Sequence, residues 1–159
     1  MNVASALAHT GKTLGGQFEF PYWCAWADII LGWVEGSRGS ANGMALIENA
    51  MTAYRRTGAV QALPYALLLL AETALAVGKP KRALRAARQG WHLARQYRLD
   101  LYAAELLRVR TMAKMQLGLP PRSLLVLVSE AQHLAEKQGA VTFSARATRL
   151  RDTLSSVDG

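Results

Sequence analysis

Histidine, cysteine and serine side chains are the groups in this chain that could do chemistry, and their spacing decides whether they can act together. His9, His92 and His133 lie far apart, and none has a carboxylate or cysteine at the spacing of metal ligands. Cys24 is the only cysteine, so it has no partner for an internal disulfide or a shared metal ion. No serine has the context of a nucleophile elbow, and no pair of acids stands out. We therefore predict no catalytic residue, no cofactor site and no metal site, and we expect the histidines at the surface.

A phosphate-binding loop is excluded by its missing parts. Residues 11 to 13 read Gly-Lys-Thr, but the loop also needs a glycine five residues before Gly11, where Ala6 stands. It also needs a preceding β-strand, and the chain carries no strand signal. The sequence therefore lacks the features of a nucleotide-hydrolysing module.

Positive charge is concentrated in one segment. The net charge is +8, from 19 basic and 11 acidic residues, and residues 79 to 98 contain seven Lys or Arg but no Asp or Glu. Helical spacing places five basic side chains of this segment on one face, here called the basic stripe: Lys81, Arg85, Arg88, His92 and Arg95. Such a stripe attracts nucleic acid, acidic protein segments or lipid headgroups. The alternative is an ordinary solvated outer face, where charged side chains normally lie.

Glycine and proline mark the helices that carry these residues. Residues 63 to 77 form an apolar helical run that Gly78 can end, because glycine adopts the left-handed conformation that closes a helix. Pro80 follows, and proline is tolerated in the first turn of a new helix. We therefore predict two antiparallel helices joined at Gly78.

Similar signals divide the rest of the chain, which is predicted to form a single domain over residues 1–159. A first helix without a visible partner before it is expected to end at Gly15 and Gly16. A turn is expected at residues 36–40, from Gly36 to Ser40, and Asp100 is expected to cap a later helix. The predicted parts are an orphan helix at 1–16, repeats at 21–58, 61–98 and 99–139, and a terminal helix at 141–154. The fold class is therefore all-α, with about seven to eight helices.

The predicted helix pairs recur at a nearly constant interval. Gly39, Gly78 and Gly118 mark their midpoints and are separated by 39 and then 40 residues, and Pro80 and Pro120 each follow a glycine by two places. Helical hairpins of this length bury their apolar faces by stacking on one another. The sequence therefore predicts a right-handed α-solenoid of antiparallel hairpins.

Small residues around the central turn resemble the tetratricopeptide repeat. The matching positions are Leu67, Leu70, Ala71, Ala74, Gly78, Ala83, Ala87 and Gly90. The repeat here is longer than the family's roughly 34 residues and lacks its usual aromatic residues and closing proline.

Nearly the whole chain is also similar to the C-terminal helical region of large bacterial signalling proteins. The resemblance lies in runs such as FPYWCAWADIILGW at 20–33 and LPYALLLLAETALAVGKPKRAL at 63–84. In those proteins a nucleotide-cyclase or winged-helix input is paired with a STAND-type ATPase module and a tetratricopeptide arm, as in maltose-regulator-like activators. The resemblance implies that this chain is the sensing or scaffold arm of such a regulator.

In stacked hairpins of this family the first helices line a concave groove. Counting from the small residue at each turn places six side chains there: Trp26, Trp33, Tyr65, Glu72, Glu105 and Arg108. Large aromatic side chains beside a few charges can anchor and orient an extended peptide. The alternative is that Trp26 and Trp33 are core residues between helices.

These patterns predict a non-catalytic protein-interaction or regulatory scaffold domain with a protein or peptide partner. The alternative function is binding of nucleic acid or another anionic ligand through the basic stripe. A homodimer through the first hairpin is also expected, because its aromatic surface is poorly capped. The sequence has no signal peptide and no apolar run of the about 20 residues needed to cross a membrane. With its single cysteine, these features predict no membrane contact and a cytoplasmic location.

Overall fold

The computed structural model describes residues 2 to 157, which form eight α-helices and no β-strand. The helices are α1 (Asn2–Gln17), α2 (Pro21–Ser37), α3 (Asn42–Arg56), α4 (Leu63–Ala76), α5 (Pro80–Tyr97), α6 (Ala103–Gln116), α7 (Pro121–Lys137) and α8 (Val141–Val157). A short 3-10 turn, Asp100–Tyr102, precedes α6. The predicted all-α class is confirmed. Met1, Asp158 and Gly159, which the predicted domain includes, lie outside the described residues.

Contacts between the helices follow a regular order. Each helix packs against the next one along the chain. The even-numbered helices also pack against one another in sequence, α2 with α4, α4 with α6 and α6 with α8. Within the described residues, the backbones of α3, α5 and α7 approach no other α-helix than their two chain neighbours, although Arg82 of α5 forms an ion pair with Glu48 of α3. We call the helices α2, α4, α6 and α8 the even row.

Each helix from α1 to α7 is followed by a residue with left-handed backbone. These residues occur every 19 to 21 positions, at Glu19, Gly39, Gly58, Gly78, Arg98, Gly118 and Gly139. Glycine adopts this conformation freely, whereas a side chain there costs roughly 1 to 2 kcal/mol. Every second helix end is therefore about 40 residues from the last, so the interval predicted from Gly39, Gly78 and Gly118 also holds for the helix ends between them.

Two clusters of buried side chains form the core. The larger one runs from α2 to α6 and includes Ile29, Leu67 and Leu106, while Leu107 and Leu124 belong to the smaller one around α7 and α8. Burying one such side chain stabilises the fold by about 1.5 to 3 kcal/mol. In the described part of the chain, every helix is too short or too polar to cross a bilayer.

Glycines allow α2 to approach its neighbours closely. A β-carbon on Gly43 of α3 would collide with the backbone of Gly32 and Gly36 on α2. A β-carbon on Gly36 would in turn collide with the side chain of Thr73 on α4. These three glycines therefore serve packing between helices, and Gly36 lies inside α2 rather than in the expected turn after it.

Two predicted helix boundaries are wrong. α1 does not end at Gly15 and Gly16 but continues to Gln17. Gly15 is buried against α2, where a β-carbon would lie 3.0 Å from the Sγ atom of Cys24, so its role is close packing. Asp100 does not cap α6, because the 3-10 turn intervenes and the residue that precedes α6 is Tyr102.

Candidate functional site

A cleft of about 570 Å³ opens on the even row, and we call it the even-row cleft. Its lining comes from the four even-numbered helices and the 3-10 turn: Trp33, Tyr65, Leu68, Leu69, Glu72, Tyr102, Glu105, Arg108, Phe143, Arg146 and Arg149. Five of the six side chains that the sequence placed in a groove are among them: Trp33, Tyr65, Glu72, Glu105 and Arg108. The structure thus brings together residues that are far apart in the chain.

The sixth predicted residue, Trp26, lies outside the cleft. Its ring is 5.6 Å from that of Tyr65 and 6.4 Å from that of Tyr54, measured between centroids. Trp26 and Trp33 are both partly buried and pack against the larger core cluster. Trp33 therefore both packs against the core and lines the cleft, whereas Trp26 contacts the cleft residue Tyr65 without lining the cleft itself.

A hydrogen-bond network joins one or more side chains from every helix of the even row. The indole nitrogen of Trp33 donates to Glu72 at 3.1 Å, and Arg108 donates to the other carboxylate oxygen of Glu72 at 3.1 Å. Arg108 also donates twice to Glu105, at 2.9 Å each. Arg146 donates to Glu105 at 3.0 Å. The network fixes the orientation of both carboxylates in the cleft.

Glu105 and Arg108 are nearly sealed from solvent. Their side chains are 1% and 11% exposed, while that of Arg146 is 49% exposed. A buried carboxylate is costly unless it is paired and hydrogen-bonded, and Glu105 has two cationic partners. Together these contacts couple α6 to α4 and α8 at the cleft.

A row of aromatic rings runs beside the polar network. The ring centroids of Tyr65 and Tyr102 are 4.4 Å apart, and those of Tyr102 and Phe143 are 6.5 Å apart. Burial raises the pKa of Tyr65, with smaller contributions from Tyr102 and Glu72, so its hydroxyl stays protonated and can donate a hydrogen bond. The cleft therefore offers apolar ring surface next to fixed polar groups.

The charged side chains that line the cleft have a net positive charge, because three arginines face two glutamates. Both carboxylates are engaged by Trp33, Arg108 and Arg146. Arg149 is exposed and lines the cleft, and it makes no ion pair within the described residues. The α8 side of the cleft can thus receive a negatively charged group.

Sequence reasoning missed six cleft residues: Leu68, Leu69, Tyr102, Phe143, Arg146 and Arg149. Counted back from the glycine after each helix, Tyr65 and Glu105 occupy the same place, whereas Tyr102 lies one helical turn earlier. Because of this shift, counting in fixed steps of 39 residues does not align Tyr102 with Tyr65 and so does not predict the row of aromatic rings. A search for an aromatic residue within one turn of the repeat position would have found Tyr102.

The basic stripe lies on the exposed side of α5. All five of its side chains are exposed: Lys81, Arg85, Arg88, His92 and Arg95. Arg95 stands over the ring of Trp91, 5.9 Å from its centroid, with Asp100 at 3.9 Å. Burial and the positive charges of Arg110 and Arg88 lower the pKa of Lys114 on α6, so positive charge accumulates where α5 meets α6.

The histidines and the cysteine lie apart from one another. His9, His92 and His133 are exposed on α1, α5 and α7, and Cys24 is half-buried beside α1. Among residues 2 to 157, no three His, Cys, Asp or Glu side chains are grouped as metal ligands would be.

Comparisons with protein-family models, curated proteins and solved structures found no match to this chain.

Proposed function

We propose that the chain is a right-handed, tetratricopeptide-like α-solenoid of antiparallel hairpins that acts as a non-catalytic interaction arm. Its first-position helices would be the even row, and an extended segment of a protein partner would bind in the even-row cleft. The resemblance to the helical arms of bacterial STAND-type and maltose-regulator-like proteins supports a regulatory role for this binding.

One observation carries the proposal: a single cleft contains five predicted groove residues from three helices. The near-constant interval between helix ends and the stepwise contacts along the even row support the solenoid. Aromatic rings beside oriented polar groups are the combination that anchors an extended peptide and sets its register.

The partner segment should combine an apolar side chain with an acidic group. Leu68, Leu69 and Phe143 provide apolar contact area, while Arg149 provides a positive charge that makes no ion pair with any residue from 2 to 157. A guanidinium binds a carboxylate through two parallel hydrogen bonds, which favours Asp, Glu or a chain terminus over a neutral group.

Selection of random displayed peptides against the wild-type protein tests this function. We expect the selected peptides to share an acidic residue near an apolar one. Resynthesised peptides should bind the Arg149→Glu variant at least tenfold more weakly, or about 1.4 kcal/mol. Arg85→Glu is the matched control, because it makes the same charge change at an exposed site outside the cleft. Selected peptides that bind both variants equally well would contradict the cleft as the binding site.

A second candidate function is binding of an anionic partner by the basic stripe. The exposure of all five side chains of the basic stripe on one side of α5 favours it. Affinity for a DNA or RNA oligonucleotide should then fall steeply with salt, because bound counterions are released. It should also be abolished by Arg85→Glu with Arg88→Glu and be unaffected by Arg149→Glu. Binding that is insensitive to salt would rule this candidate out.

A further inference from the structure

The first two helices leave a large apolar surface uncovered. A groove of about 660 Å³ lies between α1 and α2, and we call it the α1–α2 groove. Its lining is apolar: Ala4, Leu7, Ala8, Gly11, Leu14, Gly15, Phe18, Phe20, Trp23, Trp26, Ala27 and Ile30. Phe18, Phe20 and Trp23 are 53% to 64% exposed. Three large exposed rings around one groove form an apolar surface of the kind that often binds a partner.

The repeat shows what fills the corresponding groove elsewhere. Glu19 after α1 precedes Gly58 after α3 by 39 residues, the same interval that separates Gly39 after α2 from Gly78 after α4. The α1–α2 groove is therefore the counterpart of the groove between α3 and α4. That groove is occupied by α2, which packs against both helices. In the same way α4 packs against α5 and α6, and α6 packs against α7 and α8.

The counterpart positions agree residue by residue. In α3, contact with α2 involves Gly43, Ile47 and Tyr54, since a β-carbon on Gly32 would meet Gly43 and Ile47 and the ring of Tyr54 faces Trp26. The residues 39 positions earlier in α1 are Ala4, Ala8 and Gly15. All three line the α1–α2 groove.

We propose that the α1–α2 groove is the docking site for an amphipathic α-helix from outside these 159 residues. The bound helix would extend the even row by one member and continue the interface that α2 makes with α3 and α4. The groove lining carries no charge, so the facing side of the helix must be apolar at helical spacing. This proposal rests on the repeat arrangement proposed above and does not require peptide binding in the even-row cleft.

Two glycines of α1 provide a matched pair of variants. A β-carbon on Gly11 or on Gly16 would meet nothing within 4 Å, and only Gly11 lines the groove. Leucine at either position should strengthen the helix, because it is a better helix former than glycine. Gly11→Leu therefore places an apolar side chain in the groove from a position where its β-carbon meets no other atom, and Gly16→Leu makes the same substitution in α1 outside the groove. The helical circular dichroism of both variants should match that of the wild-type protein.

The probe is a displayed library of helix-forming peptides in which the residue at every position is varied. We expect the selected sequences to carry apolar residues three, four and seven positions apart and to bind wild-type protein and Gly16→Leu equally. Gly11→Leu should weaken their binding at least tenfold, whereas Arg149→Glu should leave it unchanged. Selected sequences without helical spacing, or with equal affinity for Gly11→Leu, would overturn the proposal. A wild-type dimer in sedimentation that Gly11→Leu converts to monomer would also overturn it, since a second copy would then occupy the groove.

Discussion

Arg108 binds both carboxylate oxygens of Glu105, through Nε and one terminal nitrogen, with two hydrogen bonds of 2.9 Å on the same face of α6. The pair is buried, and Arg108 also reaches Glu72 on α4. The cleft thus depends on a charge pair whose two members are costly to separate. Removing one member leaves the other with an uncompensated charge.

Arg108→Met should lower the free energy of unfolding by about 3 kcal/mol, because it leaves the Glu105 carboxylate buried with only Arg146 as a cationic partner. Urea unfolding followed by circular dichroism measures the change. Lys12→Met is a suitable control, since Lys12 pairs with Asp28 at an exposed site, and such pairs contribute about 0 to 1 kcal/mol. A loss as small for Arg108→Met as for Lys12→Met would contradict the account of the network.

Gly43→Ala should destabilise the protein by about 1 to 3 kcal/mol, because the added methyl group would overlap the backbone of α2 at Gly32 and Gly36. Gly11→Ala makes the same chemical change in α1, where nothing lies within 4 Å of the new carbon. It should therefore stabilise the protein by up to about 1 kcal/mol. Thermal unfolding of the two variants should move the midpoint in opposite directions. Equal midpoints would mean that α2 and α3 are less closely packed than described.

Arg98→Gly should stabilise the protein by about 1 kcal/mol. Arg98 ends α5 with a φ of 55° and is exposed, and glycine at this place removes the cost of a left-handed side chain. Gly78→Ala is the reciprocal change at the end of α4, where φ is 69° and the space around the glycine is open. It should destabilise by a similar amount, through backbone conformation alone. Chemical denaturation curves of both variants would measure the pair, and shifts of the same sign would refute the common role of these positions.

The helices were predictable because their signals are local. Gly78 and Pro80 mark one boundary without reference to any contact, and Gly118 with Pro120 marks another, whereas the turn after α5 at Arg98 has neither residue. The predictions at Gly15 and Gly36 were wrong because the sequence alone does not distinguish a glycine that permits close helix packing from a glycine that ends a helix. Only the neighbouring helix, at Cys24 or Thr73, distinguishes the two roles.

The cleft was predictable in part for a related reason. Trp33 and Glu72 keep the 39-residue interval, so counting places them together, and the structure joins them by a hydrogen bond. Tyr102 and Arg146 depart from that interval, because the chain gains a 3-10 turn before α6 and an extra residue in the last repeat. Their position in the cleft is set by packing between helices, and counting residues along the sequence does not predict that packing.

Alkaline pH should destabilise the fold through the ionisation of Tyr54. Tyr54 is fully buried, and burial together with a hydrogen bond to Tyr22 raises its pKa to about 12, from an ordinary value of 10.0. Because the folded state holds this proton more tightly than the unfolded state, the stabilisation is complete below pH 10 and is lost as the pH rises toward 12. A shift of this size corresponds to at most about 2 to 3 kcal/mol.

Tyr54→Phe should isolate this contribution. At neutral pH the variant should be less stable by about 1 kcal/mol, because the backbone N–H of Ala62 loses its acceptor, the Tyr54 hydroxyl at 3.3 Å. Between pH 10 and 12 the wild-type protein should lose stability faster than the variant, so the two curves should converge. Urea unfolding at a series of pH values measures the difference, and parallel curves across this range would show that Tyr54 ionises as easily in the folded state as in the unfolded one.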